Sequence, residues 1–181
     1  MVSQLEVEVI NPGSNQVQFK FNNLGPTAST ISEIYWDDDA SLVDLTVDPV
    51  FGYSGAGVAF EKDGSPPDLP SGGNAVPPFA KTFMVQASDD NATGINPTEW
   101  LTVLYQLQNG KLFADVLDAL EDGSLRIGMH VTAIGTPGGS DSVINIAFEP
   151  PPTGNIPEPA TYALMGAGLL ALGAMRRRTT K

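Results

Sequence analysis

Short runs in which apolar and polar residues alternate, each closed by glycine, proline or asparagine, recur along the first 148 residues and leave little room for anything but β-structure. Leu5, Val7 and Val9 alternate with Glu6, Glu8 and Ile10. After the turn Asn11-Pro12-Gly13-Ser14-Asn15, Val17, Phe19 and Phe21 alternate with Gln18, Lys20 and Asn22. Ile31–Trp36 and Leu42–Val47 read as a hairpin around Asp37-Asp38-Asp39-Ala40. Further strands are expected at Gly57–Glu61, Ala80–Ala87, Glu99–Leu107, Leu125–Ile134 and Val143–Phe148. One face of Glu99–Leu107 is Leu101, Val103, Tyr105 and Leu107. That of Leu125–Ile134 is Leu125, Ile127, Met129, Val131 and Ala133. The five prolines of residues 63–79 mark a long loop, and 19 glycines with 15 prolines in 181 residues argue against a helical bundle.

One segment departs from period two. Phe113, Val116, Leu117 and Leu120 recur at helical spacing, with Asp115, Asp118, Glu121 and Asp122 opposite them and Gly123 placed to stop the helix. Nine short strands and one short helix, capping an end of the sheets, predict a mainly β chain: an antiparallel β-sandwich of jelly-roll type over residues 1–148.

Past Glu149 the chain changes character. Residues 149–156, with Pro150-Pro151-Pro152, form an extended polar linker. Ala160–Met175 holds no charge, and Arg176-Arg177-Arg178 closes it. As a helix this run spans about 24 Å, slightly short of the roughly 30 Å hydrocarbon core. Tyr162 and the arginines extend its reach by interfacial anchoring, so a single C-terminal transmembrane helix is expected, with the arginines in the cytoplasm and the acidic body outside. Gly166, Ala167, Gly168, Gly173 and Ala174 leave room for another helix to approach.

Pro157-Glu158-Pro159, a short Gly/Ala/Leu helix and an arginine cluster, in that order at the C-terminus, resemble the PEP-CTERM protein-sorting signal of Gram-negative bacteria. The resemblance covers residues 157–181. It implies recognition by an exosortase, an integral membrane enzyme, with Pro157, Glu158 and Pro159 as the recognition element. Ala160–Met175 would be the transient anchor, and Arg176, Arg177 and Arg178 the cytoplasmic stop. It also implies an exported protein that reaches the cell surface or extracellular matrix. Residues 1–8 carry no basic n-region or apolar h-region and read as a strand already under way, so the expectation of export rests on the tail. Ile31-Ser32-Glu33-Ile34-Tyr35-Trp36-Asp37-Asp38 and Leu125–Val131 are similar to stretches in the ectodomains of some PEP-CTERM proteins, a similarity that brings no activity with it.

Charge and composition exclude several chemistries. Residues 1–156 carry 20 acidic and five basic side chains, which repels phosphate backbones and argues against nucleic acid as a partner. The absence of cysteine removes disulfides, thiolate metal sites and cysteine nucleophiles, and a single histidine removes multi-histidine metal centres.

Asp37, Asp38 and Asp39, with Asp44 and Asp48 behind them, are the candidate metal ligands. A tight turn could present their oxygens to Ca²⁺, although the spacing is not an EF-hand loop. The simpler reading is a solvated hairpin tip. Asp89-Asp90-Asn91 has the same ambiguity. His130 is the one imidazole base; on its strand it shares a face with Arg126 and Thr132, and no Gly-x-Ser-x-Gly elbow accompanies it. Trp36, Trp100, Tyr35 and Tyr53 offer either a sugar-stacking platform or ordinary core. Gly135–Gly139 lacks the Lys-Ser/Thr of a phosphate loop. No catalytic set stands out. The expected body is a structural or adhesive domain rather than an enzyme and needs no cofactor. The alternative is a Ca²⁺-assisted carbohydrate-binding module for exopolysaccharide.

Overall fold

The computed structural model describes residues 2–62, 67–135 and 138–145. Their alternating runs become nine antiparallel strands: β1 Leu5–Ile10, β2 Gln16–Asn23, β3 Thr30–Asp38, β4 Val50–Tyr53, β5 Phe60–Lys62, β6 Phe83–Ala87, β7 Trp100–Gln106, β8 Leu125–Ile134 and β9 Gly139–Ile144. Two sheets result, with orders β1-β2-β7-β4 and β5-β6-β3-β8-β9. A jelly roll pairs its second strand with its seventh, its seventh with its fourth, its sixth with its third and its third with its eighth. Those inner pairings are all present. The edges differ, because β1 lies beside β2 instead of β8, where β9 stands, and β5 lies beside β6 instead of β4.

The core fills the space between the inner faces. Val17, Phe19 and Phe21 of β2 and Leu101, Val103 and Tyr105 of β7 face Ile34 and Trp36 of β3 and Leu125, Ile127, Met129 and Val131 of β8, all buried. Trp36 is the hub. Its ring meets Phe19, Phe21 and Tyr105 of the opposite sheet edge-on at 5.6, 5.7 and 5.4 Å, and stacks on Phe83 at 5.0 Å. Edge-to-face contacts put positive ring edges against negative faces, adding to the large apolar area buried.

α1, Phe113–Asp122, forms where the helical spacing placed it. Asp115 Oδ2 accepts the Leu112 N–H at 2.7 Å and supports its first turn. Gly123, at φ +82°, ends it, and the Gly123 N–H donates to the Ala119 carbonyl. Val116 and Ala119 enter the core against β2 and β8.

Several expectations are corrected. Leu42–Val47 is no strand; one bridge, Val43 to Leu107, is all that remains of it. Asp37 and Asp38 continue β3 instead of turning it, and β4 forms over Val50–Tyr53. β9 begins at Gly139, ahead of the expected Val143. Ala133 faces solvent, because the β8–β9 register shifts between Val131 and Ile134 and Ala133 sits at φ +52°. A second register shift in β3, between Ile31 and Glu33, lets Ile31 and Ile34 both point into the core although they are three residues apart. Among the described residues no helix is long and apolar enough to cross a membrane. The expected span Ala160–Met175, the 149–156 linker and the arginine cluster lie outside the described residues.

Candidate functional site

The outer face of the five-stranded sheet is covered unevenly. Antiparallel partners share a face, so its residues fall into rows that cross the strands. One row is Met84, Tyr35, Gly128 and Ile144. Leu69 and Phe79 of the 67–82 loop pack on it, and Gly128 is what lets them in: a Cβ there would stand 2.7 Å from Leu69 Cδ2. Beside it, Arg126 pairs with Asp37 and donates to the carbonyls of Pro77 and Pro78 at 2.7 and 2.6 Å. The guanidinium also lies 5.3 Å from the Phe79 ring centre. The proline-rich loop is therefore clamped from beneath by a buried cation.

The next row stays open. Glu61 of β5, Gln86 of β6, Glu33 of β3, His130 of β8 and Ser142 of β9 stand in register across all five strands. Four of them, with Ser32, Ala87, Ser88 and Thr132, line a groove of about 310 Å³. Glu33 Oε2 lies 2.7 Å from His130 Nδ1 and accepts the Tyr35 hydroxyl at 2.8 Å, while Gln86 donates to Glu61 Oε1 at 3.3 Å. Glu33 and His130 are 23% and 19% exposed, sheltered enough to hold this geometry yet open to a ligand. An ionised carboxylate only accepts, so Nδ1 carries the ring proton and, in the neutral ring, Nε2 is left as an acceptor. Ser32 Oγ donates to the His130 carbonyl at 3.3 Å and not to the ring. His130 thus shares its face with Arg126 and Thr132 as expected, and it stands as an oriented acid–histidine pair without a hydroxyl bonded to it among the described residues.

Asp37, Asp38 and Asp39 are not brought together. Asp37 and Asp38 are buried, pointing to opposite faces of β3, and Asp39 is exposed. Besides Arg126, Asp37 Oδ2 accepts the Ala80 N–H at 2.9 Å. The Asp38 carboxylate accepts the N–H groups of Leu42 and Val43, the nearest contacts being 2.8 and 3.1 Å, and so closes the turn after β3. The solvated-tip reading is thereby corrected. A further acidic groove of about 450 Å³ runs beside α1, but there Asp115 takes the Leu112 N–H, and Ser124 bonds Asp122 and holds its carboxyl below the usual range. Among the described residues no group of three or more His, Asp or Glu side chains could hold a metal ion.

The four aromatics of the sugar-platform reading are dispersed. Trp36 and Tyr35 are buried, and Tyr53 reaches over to the Phe60 carbonyl. Trp100 is half-buried on the outer face of the four-stranded sheet, opposite Asn22. Near it Lys20 pairs with Glu8 at 2.7 Å, and this bond holds the Glu8 carboxyl below its ordinary range.

Glu33, Glu61 and Gln86 were not evident as site residues from the sequence. The available signal was Glu33 and His130, each the single acid or base within a mostly apolar stretch, Ile31–Trp36 and Ile127–Val131.

The sorting residues Pro157, Glu158, Pro159, Arg176, Arg177 and Arg178 lie outside the described residues. Comparison with curated proteins and with solved structures finds no match. Residues 155–178 do match the family model of the PEP-CTERM protein-sorting motif, which covers the motif, the apolar run and the arginines. A chain with this motif is a PEP-CTERM sorting domain-containing protein, and the motif implies recognition by an exosortase.

Proposed function

We propose that the chain is an exported structural or adhesive protein of the cell surface or extracellular matrix, released from its membrane anchor by processing at the Pro157-Glu158-Pro159 motif. The match of residues 155–178 to the sorting motif carries the reading, since that motif implies export with transient anchoring in the membrane. In sequence terms, prolines at 157 and 159 disfavour a helix just ahead of the apolar run, which supports processing there. Three arginines resist being drawn through hydrocarbon, at roughly 2.5–3.5 kcal/mol each on insertion scales. A non-catalytic body fits the structural roles of Asp37 and Asp38, one paired with Arg126 and the other closing the turn after β3.

The test is to express the chain in an exosortase-bearing host beside Glu158→Ala and Pro159→Ala variants. Mass spectrometry of the released protein should place its C-terminus near residues 157–160, with the variants held full length in the membrane. An intact Lys181 on the mature wild-type chain would reduce the tail to a plain anchor.

A further inference from the structure

We infer that the open groove over β5, β6, β3 and β8 binds a sugar bearing a free amine, an aminohexose unit of a polysaccharide. The inference rests on the adhesive reading of the body and names its ligand. Its basis is the set of hydrogen-bonding valences left over once the internal bonds are made. Glu33 has spent Oε2 on His130 and Tyr35 and keeps Oε1. Glu61 keeps Oε2, and Gln86, having donated through its amide nitrogen, keeps its amide oxygen. His130 keeps Nε2. These are acceptors, two of them on carboxylates, and no Lys or Arg lines the groove. Such a surface repels anions and leaves an alkyl ligand among unpaired polar groups. It matches a cationic, donor-rich ligand, and an ammonium flanked by ring hydroxyls supplies both the charge and the additional donors. The hydroxyl of Ser88 at the groove wall suits a neighbouring ring hydroxyl.

Size and shape narrow the choice further. A volume of about 310 Å³ lies at the small end of ligand sites, suited to one ring rather than an extended peptide. The bonds from His130 and Tyr35 to Glu33 and from Gln86 to Glu61 hold these side chains, so the acceptors are in place before a ligand arrives.

The experiment titrates the purified full-length chain in detergent by calorimetry. Probes are a short glucosamine oligomer, its N-acetylated counterpart, a glucose oligomer and Nα-acetyl-lysine amide. The glucosamine oligomer should bind at least about tenfold tighter than the N-acetylated and glucose oligomers, the size of effect expected from losing a charged hydrogen bond. Glu61→Gln, at an exposed position, and Glu33→Gln should each weaken binding several-fold, while Asp118→Asn on α1 should leave it unchanged. Equal weakening by Asp118→Asn would show diffuse charge attraction and overturn the site. Equal affinity for the N-acetylated oligomer, or no heat with any probe, would overturn the amine requirement. Binding of the lysine amide as tight as the oligomer would assign the groove to peptide amines instead. Failure here is distinguishable from failure of the adhesive reading. A chain that ignores amines yet coats cell-surface polymer loses only the groove assignment, and one that binds glucosamine but coats nothing loses the adhesive role.

Discussion

Asp37 and Arg126 meet side chain to side chain across the β3–β8 pair, both nearly closed to solvent, at 2% and 10% side-chain exposure. The pair forms through Asp37 Oδ2, Oδ1 has no hydrogen-bond partner among the described residues, and Arg126 carries the neutralisation of that buried carboxylate. Removing one member leaves an uncompensated charge inside, whereas removing both leaves none. Arg126→Ala should therefore lower stability by about 3–5 kcal/mol in urea unfolding. The double variant Asp37→Leu/Arg126→Met should recover most of that loss. Limited proteolysis should cut Arg126→Ala within residues 67–82 faster than the wild type, because the loop carbonyls lose their donor.

Asp38 acts on the backbone instead. Its carboxylate holds two buried N–H groups, those of Leu42 and Val43. Asp38→Ala should cost about 1–3 kcal/mol, since those donors are then buried unpaired. Asp39→Ala should fall within about 0.5 kcal/mol of wild type. Millimolar Ca²⁺ should leave the Tm of both variants and of the wild type unmoved; a rise confined to chains that keep Asp38 would point to a cation in this turn.

The Tyr105 phenol titrates abnormally high, because burial in the core penalises its charged form. The folded chain keeps that proton while the unfolded chain releases it above about pH 10. Unfolded protein thus binds fewer protons there, and stability should fall as pH climbs past 10, by up to about 1.4 kcal/mol per unit from this group. Ultraviolet titration should show Tyr105 ionising only as the fold opens. Tyr105→Phe should flatten the alkaline part of the curve.

Two glycines separate close packing from chain flexibility. A Cβ on Gly94 would lie 2.4 Å from Thr30 Cγ2 and 2.7 Å from the Ile31 carbonyl oxygen, whereas one on Gly73 meets nothing within 4 Å. Gly94→Ala should destabilise by about 1–3 kcal/mol, as overpacking does. Gly73→Ala should be neutral within about 0.5 kcal/mol by the same denaturation assay.

Where one interaction dominated, the sequence could be read locally. α1 was legible because Phe113, Val116 and Leu120 keep helical spacing up to a glycine. The buried face of β7 was legible because Leu101, Val103 and Tyr105 alternate without interruption. The region from Asp37 to Tyr53 was not. Its outcome depends on a cation 89 residues away in the chain and on a carboxylate that takes the N–H groups Leu42 and Val43 would need as a strand. Val50–Tyr53 became β4 by pairing with β7, although its four residues include a glycine and follow a proline. In the candidate groove His130 was visible as the chain's single imidazole. Glu33 was not, because an extra residue in β3 hides its pairing from any regular count.

That extra residue, Ser32, makes β3 the strand in which a deletion is safest at one chosen place. Elsewhere in β3, losing one residue would turn every side chain on one side of the gap to the opposite face, sending Trp36 or Ile31 towards water. At Ser32 the loss restores plain alternation: Ile31 stays inward, Glu33 stays opposite His130, and what goes is one groove-lining hydroxyl with its contact to the His130 carbonyl. The strand is written with one removable letter, set beside the pair that lines the groove.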